Sequence, residues 1–305
     1  MPFTYTDCLH QSQPIPAELL GELKETHWSV ESGEALRDRL VADGYLLLRN
    51  VIGLDDVLAA RQEVFQRLVE VDEVQEPAID GIATGTSRRA EIAEDLGAFW
   101  QSVSEGPLLR RVSHGARANG VMAAIFGEPP RAHDFMFLRP SVVGRATRLH
   151  YDLPFFSRGS QRVLTVWTAL GEIPVSDGPL IVVENSHRFD DLIEPIRKID
   201  YESTASPQVQ MMGDVAEFAR QRQARLLTTD FRAGDLVVFT MTTLHGTLDN
   251  HSNIGRARLS CDVRWQPAAD PVDPRYVGPN PAGTTGEGYG ELNGAKPLTE
   301  DWHTR

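Results

Sequence analysis

The stretch GDLVVFTMTTLHG, residues 234–246, joins a turn to a strongly apolar strand that ends at His245. A second stretch, RARLSCDVRW at 256–265, alternates polar and apolar side chains, which is typical of a strand with one lined face and one packed face. Further short strands are predicted between turn residues after Pro130, at 135–138, 148–155, 162–170, 180–183 and 225–228. Many short strands at this spacing predict an antiparallel sandwich, jelly roll or barrel rather than a parallel sheet.

The residues before these strands are predicted to be mostly helical. Apolar periodicity indicates one helix at 34–42, for which Ser32 is the expected N-cap, and a second that opens at Asp55. A short buried strand is expected between them at 45–48. The loop at 74–90 contains glycines, a proline and two arginines, which suggests a mobile segment.

No internal repeat or linker divides the chain. We therefore expect one domain over residues 1–305, with a mostly helical part at 1–130 that packs on a jelly-roll core at 131–266. The tail at 267–305 is rich in proline and glycine, and we expect it to be ordered only if it packs on the barrel.

The composition excludes several classes of protein. With 43 acidic against 30 basic residues, the net charge is −13, which argues against nucleic acid as a partner. No apolar run is long enough for a membrane span, and the first residues lack an export signal. The two cysteines, Cys8 and Cys261, lie far apart in sequence, which argues against a disulfide framework. We expect a cytoplasmic protein, and the sequence leaves its oligomeric state open.

Three residues form a candidate metal site. His150 and Asp152 lie in a predicted strand, where residues two apart point to the same face. A His-x-Asp pair is weak by itself, but His245 ends a strand further along the chain. Two histidines and one carboxylate on neighbouring strands can form the facial triad that binds non-haem iron(II) and leaves three positions open. Arg256 follows His245 by eleven residues and begins another predicted strand.

From about residue 36 to residue 266, the chain resembles the phytanoyl-CoA dioxygenase family of iron(II)- and 2-oxoglutarate-dependent oxygenases. The order and spacing of its motifs carry this resemblance: Asp43-Gly44-Tyr45-Leu46, His150-x-Asp152, Val166-Trp167-Thr168-Ala169-Leu170, Asp177-Gly178-Pro179-Leu180, Asn185-Ser186-His187, His245-Gly246, Asn250, Arg256 and Ser260-Cys261. One turn departs from the family, because residues 184–187 read Glu-Asn-Ser-His instead of Pro-Gly-Ser-His.

The resemblance implies an α+β fold, mainly β with flanking helices, built on a double-stranded β-helix of the cupin jelly-roll type. It implies that His150, Asp152 and His245 hold iron(II), that 2-oxoglutarate chelates the metal, and that dioxygen takes the last position. Arg256 would bind the distal carboxylate of 2-oxoglutarate through its planar guanidinium. Trp167 and Thr247 match cosubstrate contacts of the family, although a core tryptophan and a turn threonine would explain them equally well.

The implied reaction is hydroxylation, or another oxidation, of a C–H bond in a small-molecule metabolite, with release of succinate and carbon dioxide. Two alternatives stay open: a cupin-type metal dioxygenase or isomerase that does not use 2-oxoglutarate, and a non-catalytic binding protein on the same scaffold. Arginines near the predicted ligands or in the glycine-containing loop are candidate substrate contacts: Arg88, Arg89, Arg158 and Arg162.

Overall fold

The computed structural model describes residues 8–201, 210–211 and 213–300 and contains two β-sheets at its centre. The strands in chain order are β1 Leu9–His10, β2 Gln13–Pro14, β3 Leu20–Glu22, β4 Tyr45–Leu48, β5 Pro130–Ala132, β6 Phe137–Ser141, β7 Leu164–Ala169, β8 Leu180–Val183, β9 Leu226–Thr228, β10 Leu236–Thr240, β11 His245–Thr247 and β12 Arg258–Pro267.

The larger sheet has the order β4-β10-β7-β12-β5, with β6 also paired to β12, and the smaller has the order β11-β8-β9-β3. All pairings within these two sheets are antiparallel except that of β3 with β9. The two sheets face each other, because side chains such as Trp167 and Val237 from the larger sheet share one buried cluster with Leu180 and Leu227 from the smaller. The space between the sheets holds the candidate site.

The helices are α1 Gly33–Asp43, α2 Leu54–Val69, α3 Arg89–Ile92, α4 Leu96–Ser104, α5 Pro107–His114, α6 Ala116–Phe126, α7 Asp190–Ile196 and α8 Val215–Arg222. The side chain of Ser32 caps α1 by accepting the Ala35 N–H at 3.2 Å, as its position predicts. Gly44 ends this helix in the left-handed region, at φ +79°, where glycine is favoured. Helices α5 and α6 pack on β12 of the larger sheet, and α1 packs on β4.

Three segments differ from the sequence expectations. The apolar strand expected to end at His245 stops at Thr240, and His245 begins the separate strand β11 after a turn. The predicted strand at 148–155 is mostly a turn, in which His150 alone makes bridge pairings, because Pro154 has no N–H and the Phe155 N–H bonds to the carbonyl of Asp152. The predicted mobile loop is anchored, because Arg89 within it and Glu73 just before it are both fully buried and contact each other. Within the described ranges, no helix has the length and apolarity needed to cross a bilayer.

Candidate metal centre

The structure brings His150, Asp152 and His245 together. Asp152 lies between the histidines, with Oδ1 3.7 Å from Nε2 of His150 and Oδ2 4.0 Å from Nε2 of His245. One possible ligand atom from each residue lies within 4.8 Å of the others, and all three side chains are buried. His150 and His245 pair directly, because each backbone N–H donates to the carbonyl of the other. This pairing places the two imidazoles side by side.

Both imidazoles are oriented in the same way by the backbone. Nδ1 of His150 donates to the carbonyl of Arg148 at 2.8 Å, and Nδ1 of His245 donates to that of Thr243 at 3.0 Å. These bonds assign the proton to Nδ1 and leave the Nε2 lone pair for a metal. Burial, and then the neighbouring His245, lowers the pKa of His150 to about 3, and burial also lowers the pKa of His245. Both rings are therefore neutral at pH 7, as metal ligation requires.

Two groups hold the carboxylate of Asp152. Its Oδ2 accepts from the hydroxyl of Thr165 at 2.6 Å and from Nη2 of Arg264 at 2.8 Å. Burial alone would raise the pKa of Asp152, but Arg264, the two histidines and this hydroxyl outweigh it and keep the pKa below its usual range. Because Oδ2 is occupied, Oδ1 is the oxygen left for a metal.

Arg264 was not among the residues that the sequence suggested for the site. Its side chain is buried, and its Cζ lies 4.3 Å from the ring centre of Phe137 and 4.5 Å from that of Phe156. The alternating pattern of β12 does put Arg264 on the lined face of the strand, so the signal was present. What the pattern could not show was its partner, which lies 112 residues earlier in the chain.

We expect Arg264→Met to weaken iron(II) binding roughly tenfold to a hundredfold, as is usual when a residue that orients a metal ligand is lost. The reason is that Asp152 would keep only one of the two donors to Oδ2. Anaerobic titration with iron(II) measures this, and Arg111→Met, which removes an exposed arginine, is the control. An affinity equal to or higher than that of the parent would show that Arg264 does not orient the ligand.

A small interior cavity lies between the sheets beside the triad. It is lined by His150, His245 and seven more residues: Arg139, Thr147, Trp167, Leu180, Gly246, Thr247 and Asp262. Trp167 and Thr247, the candidate cosubstrate contacts, both belong to this lining. The buried Nε1 of Trp167 has no hydrogen-bond partner in the described part of the chain, so it is a free donor beside this cavity.

Arg256 does not line this cavity. Its Nη1 lies 3.2 Å from Oδ2 of Asp177, and about a third of the side chain (31%) is exposed. Arg139, which the sequence did not suggest, does line the cavity and donates from Nε to Oδ2 of Asp262. Arg258 on β12 is fully buried, and its Nε and Nη2 have no hydrogen-bond partner among the described residues.

An outer cleft also borders His150 and Asp152 and shares Arg139, Thr147 and His150 with the interior cavity. Three phenylalanines form one part of its wall, namely Phe137, Phe155 and Phe156. Polar side chains and residues of the tail form the rest: Arg139, Thr147, Gln210, Arg264, Thr284, Glu291, Leu292 and Asn293. A molecule in this cleft would lie directly in front of the candidate metal ligands.

The four arginines suggested as substrate contacts lie elsewhere. Arg89 is buried against Glu73, and Arg88 pairs with Glu91 at the surface. Arg158 pairs with Asp200, and Arg162 pairs with Glu128 and Asp270. None of the four lines the outer cleft, so the structure does not support a substrate contact for any of them.

Comparison with known proteins gives the wider context. The family model described as phytanoyl-CoA dioxygenase (PhyH) matches residues 40–258. The ectoine dioxygenase of Bordetella bronchiseptica is 25% identical over 252 residues, which cover 78% of this chain and 77% of that protein. The peroxisomal phytanoyl-CoA dioxygenase of Bos taurus is 24% identical over 226 residues, which cover 72% of this chain and 64% of that protein.

Two solved structures share the fold. EctD from S. alaskensis, solved with 2-oxoglutarate and 5-hydroxyectoine, has a TM-score of 0.53 and 18% identity, and the match covers 88% of this chain and 87% of EctD. The epimerase SnoN, in complex with Fe³⁺, alpha ketoglutarate and nogalamycin RO, has a TM-score of 0.52 and 20% identity. The match covers 81% of this chain and 86% of SnoN. The jelly-roll core predicted from the sequence is confirmed by this likeness. The chain belongs to the phytanoyl-CoA dioxygenase family.

Proposed function

We propose that this protein is an iron(II)- and 2-oxoglutarate-dependent oxygenase that hydroxylates, or otherwise oxidises, a C–H bond of a small molecule. One observation carries the proposal: the three ligand atoms converge between two cavities, and His150 lines both. A metal held there would border one cavity that could take a cosubstrate and a second that could take a substrate.

The residues fit iron(II). Two neutral imidazoles that present Nε2 and one carboxylate that presents Oδ1 are the donors of the facial triad, and three positions stay open. His150, Asp152 and His245 would hold the metal. When bound, iron(II) with 2-oxoglutarate and dioxygen supplies the oxidant for a C–H bond, and succinate and carbon dioxide are released. The surrounding residues orient the reactants and exclude water.

The interior cavity suits 2-oxoglutarate. The indole N–H of Trp167 is a donor without a partner among the residues described. The hydroxyl of Thr247 accepts the Thr147 N–H at 2.7 Å, so its own hydrogen is available for a carboxylate. Arg139 also lines the cavity, where its charge is paired with that of Asp262. Hydrogen-bond donors beside an open metal position suit the carboxylates of a bound 2-oxoacid dianion.

The outer cleft suits the substrate. Phe137, Phe155 and Phe156 offer an apolar wall, and Arg139 and Asn293 offer polar groups near it. The relatives are named for ectoine and for phytanoyl-CoA, and SnoN was solved with nogalamycin RO, so proteins similar to this chain are associated with chemically very different molecules. We infer a small-molecule substrate for this chain and leave its identity to a screen.

Anaerobic absorption spectroscopy of the protein with iron(II) tests the proposal. We expect a visible charge-transfer band that appears only when 2-oxoglutarate is added, because both of its oxygen donors must reach the open metal positions. Substrates can then be screened by succinate release. Bound iron without a band would favour a cupin-type enzyme that does not use 2-oxoglutarate, and no iron binding would exclude an oxygenase.

A further inference from the structure

The tail of the chain forms one wall of the outer cleft. Thr284, Glu291, Leu292 and Asn293 line it together with His150 and Asp152. The family model ends at residue 258, so this wall is built by residues outside the part that matches the family. What the tail contributes to the cleft therefore does not follow from the family match.

A buried ion pair anchors the tail. Glu73 and Arg89 are fully buried and contact each other, and the guanidinium of Arg89 donates to the carbonyls of Gly294 and Lys296. The other partner also bonds to the tail, since Oε1 of Glu73 accepts the Leu298 N–H at 3.1 Å. Two buried charges thus bond to the backbone just after the residues that line the cleft, which fixes the position of the wall.

Close packing holds the same segment from a second side. The backbone of Gly294 lies against the indole of Trp100, so closely that an added Cβ would lie 2.2 Å from a ring carbon. Trp100 is fully buried and cannot move away without disturbing the helix α4 that carries it. Only glycine fits at position 294, and the neighbouring Asn293 is thereby held at the cleft.

We propose that Leu292 and Asn293 are specificity-determining residues that contact the substrate from the wall formed by the tail. This inference rests on the proposed function. Leu292 adds an apolar surface to that of the phenylalanines, and the Asn293 amide can both donate and accept hydrogen bonds. The wall therefore fits a substrate with an apolar body and a polar, hydrogen-bonding edge.

The position of the wall can be tested without any substrate. Asn293→Cys and the control Glu287→Cys are each labelled with a nitroxide; Glu287 is exposed on the same tail, and the native Cys8 and Cys261 are buried. We expect an immobilised spectrum at position 293, broadened further by manganese(II) in the triad, and a mobile, less broadened spectrum at 287. A mobile label at 293 would overturn the inference whether or not metal binds.

Specificity is tested with Asn293→Ala and Gly294→Ala against Glu287→Ala, using the compound that the parent converts in the succinate screen. We expect KM for that compound to rise roughly tenfold in the first two variants, the order expected for one lost contact in a pocket. The dissociation constant of 2-oxoglutarate, measured from the charge-transfer band, should change less than about twofold. An unchanged KM in both variants would refute the specificity role. Absence of the band in the parent would instead refute the proposed function, and the nitroxide result would still decide the position of the wall.

Discussion

Asp152→Ala should lose turnover of 2-oxoglutarate by a factor on the order of 10³ or more, because the variant lacks the anionic ligand of the triad. Oδ1 is the only oxygen of this carboxylate left for a metal, since Thr165 and Arg264 occupy Oδ2. Two neutral imidazoles alone would hold iron(II) weakly and without the geometry that keeps three positions open. Succinate release and anaerobic iron(II) titration measure the loss.

The same substitution also affects folding, and this must be separated from the loss of the metal. Arg264 is 2% exposed in its side chain and would be left buried without its carboxylate, which typically costs about 3–5 kcal/mol of unfolding free energy. The double variant Asp152→Ala/Arg264→Met removes both charges and should recover most of the melting temperature without recovering iron binding. Full activity in Asp152→Ala would mean that the triad is wrongly assigned.

Strands in the centre of the sheets were the most predictable part of the fold. Strand β8 has the predicted bounds, and β7 and β10 lie inside the predicted ranges, because their apolar residues are consecutive and turn residues flank them. Strand β3 was not predicted. It has three residues and pairs in parallel with β9 some 200 positions later, so only the tertiary partner makes it a strand.

The residues of the site also fall into those that the sequence could predict and those that it could not. The triad could be predicted because His-x-Asp and a strand-terminal histidine are local patterns with a known chemical meaning. Arg139 and Arg264 could not, because their roles come from carboxylates more than a hundred residues away in sequence, Asp262 and Asp152. For Arg89 the prediction was wrong. A basic residue in a glycine-containing loop suggested a substrate contact, but Arg89 is buried and pairs with the buried Glu73 instead.

Arg258→Met should raise the dissociation constant of 2-oxoglutarate roughly a hundredfold while the melting temperature of the cosubstrate-free protein stays equal or rises. Arg258 is fully buried, and two of its guanidinium nitrogens lack partners among the described residues. Burial, and then the nearby Arg139, lowers its pKa to about 10, so it is still charged at neutral pH. A buried cation without a carboxylate lowers stability, and replacement by an apolar residue of similar size removes that cost.

The buried guanidinium of Arg258 is explained if it binds an anion that is present only during function. Like Arg256, Arg258 does not line the interior cavity, but its charge interacts with those of Arg139 and Asp262, which do. The distal carboxylate of 2-oxoglutarate is therefore the anion we expect to reach it. Arg256 has the spacing that the family resemblance implies for this contact, but Asp177 already neutralises it. We therefore expect a smaller effect, about tenfold or less, from Arg256→Met.

Titration of the anaerobic charge-transfer band with 2-oxoglutarate distinguishes the two arginines, and Asp177→Asn sharpens the comparison. If Arg256 is the anchor, Asp177→Asn should free it and tighten 2-oxoglutarate binding, and Arg256→Met should cause the larger loss. If Arg258 is the anchor, Asp177→Asn should leave the dissociation constant nearly unchanged. Thermal shift gives a second readout, because 2-oxoglutarate with metal should stabilise the parent and Arg256→Met but not Arg258→Met. A destabilised Arg258→Met that binds 2-oxoglutarate normally would show that the buried guanidinium has a structural role instead.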